Sequence, residues 1–397
     1  MNLSAEDRLL LCCARTKIEG EMVERARGLL SQGLNWDYLL KGSSSHGITP
    51  LVFHNLKMID RDGVVPNQVL RKLERAYYAN VRHNMKIYGE LGKILKALQD
   101  AEVKVMILKG AAIAETAYQN MALRPIGDID LLVQEKDFLK IKNQLVNLGY
   151  EPMKSLPRLT PTEAVEYAHY FEQVRFFNED GMLIETHFRL VNMGIPKVEE
   201  MVWQNAITLK IAGGDALIPS AEDSLLYLCI HANQHNYCMI RLFCDIAELV
   251  NNYSRKINWR YFLNVVKQRR LESSIYYTLH FTNQLLGVDI PKNILTRLKP
   301  GYLRGKLFEF VWGKKTALQL RSMKRPDRTE GPTYYLLEMD RMRDKLTYLH
   351  KVMFPPVKWL SYHFSLTPSH ALYFKHFASL LEKGLKVFAP AKLNRRT

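Results

Sequence analysis

The chain has 397 residues, 47% of them hydrophobic and 24% charged, which is globular composition with enough apolar material for two or three domains and argues against intrinsic disorder. Its five cysteines (Cys12, Cys13, Cys229, Cys238 and Cys244) are odd in number and form no C-x-x-C pair, so a disulfide framework is not expected and a reducing, cytoplasmic setting is. No apolar run reaches the roughly 18 residues of a membrane span, and the net charge of +16 points to anionic partners: nucleotides, nucleic acid or the acidic face of a membrane.

The N-terminus, MNLSAEDRLLLCCARTK, has no basic stretch ahead of its apolar run and reads as a capped amphipathic helix, not a signal peptide. Apolar residues recur at helical spacing through Leu9, Leu10 and Cys13, and again through Leu70, Leu73, Tyr77 and Val81. Residues 4–100 are therefore expected to be helical, with KGSSSHGITP a loop and 82–100 a further helix. VKVMIL (103–108) is long enough for a buried strand and too short for a helix. Lys109-Gly110 interrupts it, the helix formers AAIAETAYQ follow, and Arg124–Gly127 is a turn into a second short strand, DIDLLV (128–133). Helical period returns over 135–148. YFEQVRFF and MLIETHFRL then flank the turn Asn178–Gly181 as a hairpin. From Ser220, an S-x-x-D helix start, the chain reads as mostly helical over 225–250, 258–286 and 303–320, and RSMKRPDRTEGP (321–332) is a polar linker.

The chemistry centres on Asp128 and Asp130. Side chains two apart in a strand share a face, so both carboxylates project together while Ile129 turns into the core. Two hard oxygen ligands at the start of a strand can hold Mg²⁺ or Mn²⁺ with room for phosphate oxygens. Asp-x-Asp also occurs without function on exposed strands, and its surroundings decide. Gly110, about twenty residues upstream, permits close backbone approach ahead of a helix N-terminus. Arg124, four residues before Asp128, is placed to meet a phosphate. Glu185 lies in the next strand with His187 on its face, and is either a third metal ligand or the base that activates an acceptor hydroxyl.

LKG, then R-x-x-x-D-x-D-L-L-V, then I-E-x-H-F-R-L resembles the uncharacterised nucleotidyltransferase family of the polymerase-β-like superfamily, and IPSAEDSLLYLCIHANQH with RLFCDIAELV resembles its helical C-terminal half. The resemblance covers roughly residues 5–300 and is most specific in the centre. It implies divalent metal at Asp128 and Asp130, Glu185 as the third carboxylate, and the Gly110 turn facing nucleotide phosphates. The chain departs from the superfamily in having Lys109-Gly110-Ala111 where Gly-Gly or Gly-Ser is usual, and Glu where the third carboxylate is commonly Asp. Lys109 would then supply charge to the phosphates in place of the missing serine or glycine contact.

His231 and His235 are four apart on an expected helix with Cys238 and Cys244 downstream, residue types that suit zinc. The spacing matches no finger and no Glu follows His231 as in H-E-x-x-H, so the histidines are expected to line the cleft over the catalytic core or to pack. Arg241 and Asp245, also four apart, suggest an ordinary helix pair. Residues 341–397 carry 11 Lys or Arg against two acids, with aromatics interleaved. That tail reads as a packed helical appendage, as a surface for anionic membrane, or, less favoured, as a platform for nucleic-acid bases.

The expected architecture is α/β (α+β): a small mixed-sheet nucleotidyltransferase core with large N- and C-terminal helical additions. The divisions are a helical segment 1–100, the core 101–215, a helical domain 216–320 and the basic, aromatic appendage 321–397. The expected reaction moves a nucleoside monophosphate from an NTP to an unidentified hydroxyl-bearing acceptor. A non-catalytic nucleotide-sensing scaffold and a nucleic-acid-binding or tRNA-modifying protein are the rival classes; no nucleic-acid-binding signature is found.

Overall fold

The computed structural model describes residues 3–153, 156, 159–191, 197–254, 256–308 and 339–388. Four short helices, α1 (Ala5–Cys13), α2 (Glu21–Leu30), α3 (Trp36–Ser45) and α4 (Thr49–Ile59), lead into the long α5 (Asn67–Asp100). α1 starts on a capping box, in which the Ser4 hydroxyl accepts from the Asp7 N–H and the Asp7 carboxylate accepts from the Ser4 N–H, each at 3.1 Å. The loop expected at KGSSSHGITP is shorter than its composition suggests. α3 continues through Ser45, with the buried Ser43 hydroxyl donating to the Leu40 carbonyl one turn back, and α4 begins at Thr49. The helix expected over 82–100 is the second half of α5.

The sheet has seven strands: β1 (Val105–Ile107), β2 (Ile129–Val133), β3 (Glu151–Pro152), β4 (Gln173–Phe177), β5 (Leu183–His187), β6 (Ile207–Ile211) and β7 (Gly214–Ile218), in the order β3-β4-β5-β2-β1-β7-β6. β1 is antiparallel to β2 and parallel to β7, and β2 is parallel to β5. The mixed α/β architecture agrees with the sequence reading, and β4–β5 is the expected hairpin. The hairpin β6–β7 is an addition. Its signal is Gly213-Gly214 between two β-rich arms, with Gly213 at φ +84°. Between strands lie α6 (Lys109–Ile113), α7 (Phe138–Asn147), α8 (Pro161–Tyr170) and α9 (Glu199–Gln204).

Strand periodicity sorts the side chains. Ile129, Leu131 and Val133 of β2, Ile184 of β5, Val174 and Phe176 of β4 and Ile107 of β1 cluster with the second half of α5, with α7 and with α8. Residues of opposite parity (Met106, Asp130, Leu132, Gln173, Arg175, Glu185 and His187) belong to the other face. Met106 and Leu132 join a second cluster, built from α1–α4, the start of α5, and the C-terminal helices α10 (Ala221–Gln234), α11 (Ile240–Tyr253), α12 (Trp259–Gln268), α13 (Glu272–Leu286) and α14 (Lys292–Leu298). The two helical ends of the chain thus share one core, and the polar face of the sheet looks towards it.

Continuous helical period over 225–250 and 258–286 resolves into two pairs of helices. Asn236 and Tyr237 at φ +52°, and Arg270 at φ +58°, break the runs in left-handed backbone that apolar spacing does not reveal. Of the helix expected over 303–320, α15 (Tyr302–Phe308) is described; the linker at 321–332 lies outside the described residues. The tail forms helices Met342–Met353, Val357–Phe364 and Leu372–Phe388. The second of these docks on α8: Lys358 pairs with Glu166 at 2.7 Å, Trp359 stacks on Phe171, and Tyr362 meets Tyr167 edge-on. The first exposes a stripe of Met342, Leu346, Leu349 and Met353. Among the described residues no helix is long and apolar enough to cross a membrane.

One glycine fixes how α5 meets the sheet. A Cβ on Gly92 would lie 2.8 Å from the Ala212 carbonyl oxygen in the β6–β7 turn, whereas one on Gly89, a turn earlier, meets nothing. Gly89→Ala is therefore expected to stabilise by about 1 kcal/mol through helix propensity. Gly92→Ala should destabilise by about 1–2 kcal/mol because backbone must shift. Urea unfolding of the two variants checks the difference; equal effects would contradict this packing.

Candidate active site

β1 delivers the chain to a strained turn. The Leu108 N–H donates to the Asp130 carbonyl at 2.9 Å, tying the turn to β2. Lys109 then takes φ +39° and Gly110 sits at φ 4°, ψ −100°, outside helical backbone although inside α6. A Cβ on Gly110 would come 3.2 Å from Ile126 Cγ2 and 3.5 Å from the Asp128 carbonyl, so the turn is pressed against the entry to β2. α6 begins with this turn and runs directly into a wider helical segment over Ala114–Tyr118. What the turn does deliver is the Lys109 ammonium, buried at 8% exposure.

Register assembles the rest. β2 pairs Asp130 with Glu185 and Leu132 with His187 on β5; β4 sets Arg175 opposite Glu185 and Gln173 opposite His187. Asp130 is 1% exposed. Its Oδ1 accepts from Lys109 Nζ at 2.7 Å and lies 3.0 Å from His187 Nε2, while its Oδ2 is buried with no partner. His187 Nε2 is also 3.5 Å from Glu185 Oε2, and Arg175 Nε pairs with Glu185 Oε1 at 2.8 Å. Gln173, with its amide turned to satisfy both ends, donates to His187 Nδ1 (3.2 Å) and Glu185 Oε2 (3.3 Å) and accepts from Arg175.

Burial would raise the Asp130 pKa, but the Lys109 ammonium and the His187 ring outweigh it and hold the carboxyl well below the usual range. Glu185 is likewise lowered, its burial overcome by hydrogen bonding to His187, and His187 is raised because its two carboxylate partners outweigh its own burial. Asp128 behaves differently. Burial, then Asp130, push it up to about 6. Asp128 is thus the one carboxyl of the three that is raised, while Asp130 and Glu185 are lowered by their partners.

Arg124 does not present a free guanidinium. It is buried and forms two parallel bonds to Asp245 of α11, Nε to Oδ1 at 2.9 Å and Nη2 to Oδ2 at 2.8 Å, and Tyr118 also donates to Asp245. Asp245 therefore does not pair with Arg241 one turn away, as the helix spacing suggests. Arg241 Nη1 donates to the Pro125 carbonyl at 2.8 Å and its Nε is buried unpartnered. The His231 and His235 rings lie 4.4 Å apart on α10. Burial, and after it the charge of Lys109, hold His231 well below the usual histidine range. Lys109 sits 5.8 Å above the Tyr227 ring, one turn before His231, so α10 covers the site. Among the described residues no three-ligand group contains these histidines or Cys238 and Cys244; the one such group is Asp130, Glu185 and His187. Sequence reasoning passes over Arg175, Gln173 and Tyr227, and gives Arg241 the wrong partner. The first two are recoverable from alternation along β4, the others only from tertiary packing.

The donor set fits a divalent cation on two observations: the orphaned Asp130 Oδ2, and the oxygens of Asp130 and Glu185 gathered with a nitrogen of His187 within 4.8 Å of one another.

Residues 32–287 match the model of a family described as uncharacterised nucleotidyltransferase. No curated protein matches the chain. Among solved structures the chain is similar to an antigenic nucleotidyltransferase-like protein from Paracoccidioides brasiliensis, at 14% identity over 51% of this chain and 93% of that one, with a TM-score of 0.29, too loose a likeness to bear on the site.

The Asp128 shift carries a stability cost with a definite sign. Its folded pKa, about 6, exceeds the unfolded value of 3.8, so the folded state holds the extra proton and stability falls as pH rises between the two. In EDTA, Asp128→Asn should stabilise the protein at pH 7.5 by on the order of 2 kcal/mol, and the gain should shrink towards zero at pH 4. Denaturant titrations at both values check this; a pH-independent gain would contradict the raised pKa of Asp128.

Proposed function

Because the chain belongs to the uncharacterised nucleotidyltransferase family, we propose that it moves a nucleoside monophosphate from an NTP to a hydroxyl-bearing acceptor and releases pyrophosphate. Asp128, Asp130 and Glu185 would hold the divalent cation, Mg²⁺ or Mn²⁺. When bound, the cation supplies the positive charge that lets a triphosphate approach three carboxylates and polarises its phosphoryl oxygens. The observation that carries the reading is the unpartnered oxygen of a carboxylate that is almost wholly buried between a lysine and a histidine.

The chain's own groups have distinct tasks. Asp130 is kept ionised by Lys109 and His187. Glu185, fixed by Arg175 and lowered in pKa, suits a ligand better than a general base, which works best with a pKa near the working pH. Lys109 is the cation available to the phosphates once a metal relieves it of Asp130. Arg124 acts at one remove, holding the turn before Asp128 against α11, and any phosphate contact would come from its edge towards Gly110, where Nη1 lies 4.0 Å from a built Cβ. A second reading, a nucleotide-sensing scaffold without catalysis, draws on one feature: the Lys109 ammonium pairs with the buried Asp130.

Incubation with α-labelled NTPs, Mg²⁺ or Mn²⁺ and cell extract should label an acceptor. Asp130→Asn, shown folded by a thermal melt, should lower labelling by about 10²-fold or more. Nucleotide binding with no labelling in any extract favours the scaffold; a folded Asp130→Asn protein that labels at the wild-type rate refutes the transferase.

A further inference from the structure

We propose that His187 binds the cation directly through Nε2, and that the site consequently takes a first-row transition ion such as Mn²⁺ in preference to Mg²⁺. This rests on reading the carboxylate cluster as a cation centre and goes beyond it in naming a nitrogen ligand and the ion it selects. Among the described residues, Asp130, Glu185 and His187 can each offer one ligand atom with all three within 4.8 Å of one another. Asp128 is outside that group. The imidazole is aimed inward, with Nε2 at 3.0 Å from Asp130 Oδ1 and 3.5 Å from Glu185 Oε2. Its place is fixed by β5, where it follows Glu185 by two residues on the same face. A second, independent mark is the buried Asp130 Oδ2, an acceptor with nothing to accept from.

The far side of the ring also has a polar partner. A metal-bound ring almost always ties its other nitrogen to one, which sets the tautomer. Here Gln173, opposite His187 in the β4–β5 register, places its amide nitrogen 3.2 Å from Nδ1 and its oxygen against Arg175, with Nε2–H facing Asp130. A cation on Nε2 requires the ring proton on Nδ1 and the amide turned over, its oxygen then beside Glu185 Oε2 and its nitrogen beside Arg175, so Gln173, Arg175 and Glu185 would have to rearrange with it. A site of oxygens alone suits Mg²⁺, which strongly prefers oxygen and keeps its waters. A buried imidazole added to two carboxylates shifts the preference towards ions that accept nitrogen. A cation on Asp130 would displace the Lys109 ammonium from Oδ1, the oxygen that His187 also faces.

The test uses the full chain, MnCl₂ and MgCl₂ alone, and two readouts: equilibrium binding, and electron spin echo of bound Mn²⁺, which registers a coordinated imidazole nitrogen. Mn²⁺ should bind at least about tenfold more tightly than Mg²⁺ and show nitrogen coupling. His187→Asn should lose both the coupling and the preference. Bound Mn²⁺ without nitrogen coupling in the wild-type protein overturns the inference even if His187→Asn does not fold. Binding that is lost in Asp130→Asn but unchanged in folded His187→Asn overturns the nitrogen ligand and leaves the cation centre standing. A wild-type protein that binds neither ion overturns both.

Discussion

A carboxylate taken almost wholly out of water must be given positive charge or give up its own. Asp130 is that carboxylate, and much of the surrounding geometry serves it. The positive-φ backbone at Lys109 brings an ammonium to one of its oxygens. The parallel pairing of β2 with β5 brings His187 to the same oxygen and Glu185 alongside. β4 then supplies Arg175 and Gln173 to hold Glu185 and His187 in turn. The other Asp130 oxygen is left without a partner, and Asp128 is raised by its own burial and by the Asp130 charge.

The helical half of the chain does more than cover this face. The turn that feeds Asp128 into β2 is held from three sides. Arg124 is clamped to Asp245 of α11, Arg241 of the same helix binds the Pro125 carbonyl, and Asn84 of α5 donates to the Arg124 carbonyl and accepts from the Ile126 N–H. A shift of α11 would therefore move the catalytic strand entry directly. The Arg241 Nε, buried without a partner, leaves this junction with unused donor capacity beside the site.

The sheet positions of the candidate site were legible in the sequence where strand alternation alone decides them. Asp128, Asp130, Glu185 and His187 follow from period 2 and from the order of strands, and the Gly110 turn from a glycine between strand and helix. Two kinds of feature were not legible. Long-range pairing is one: Asp245 looks committed to Arg241 by helix spacing, but a bidentate partner 121 residues away binds it instead. Left-handed backbone is the other: at Asn236, Tyr237 and Arg270 it divides what periodicity presents as single helices. The hairpin β6–β7 and helix α8 went unread although each carries a local signal, Gly213-Gly214 for the one and the Thr160-Pro161 start with Glu163 for the other, whereas the docking of Trp359 and Tyr362 on α8 depends on a surface no local pattern describes.

The central claim is that Lys109 occupies Asp130 only until a divalent cation arrives with nucleotide. A crystal of the protein grown with Mn²⁺ and a non-hydrolysable NTP analogue, with anomalous scattering recorded for manganese, tests it most directly. The account predicts an anomalous peak at the cluster of Asp128, Asp130, Glu185 and His187, with triphosphate oxygens against it and the Lys109 ammonium moved off Asp130 towards them. Analogue bound with no anomalous peak, and Lys109 still on Asp130, would contradict it.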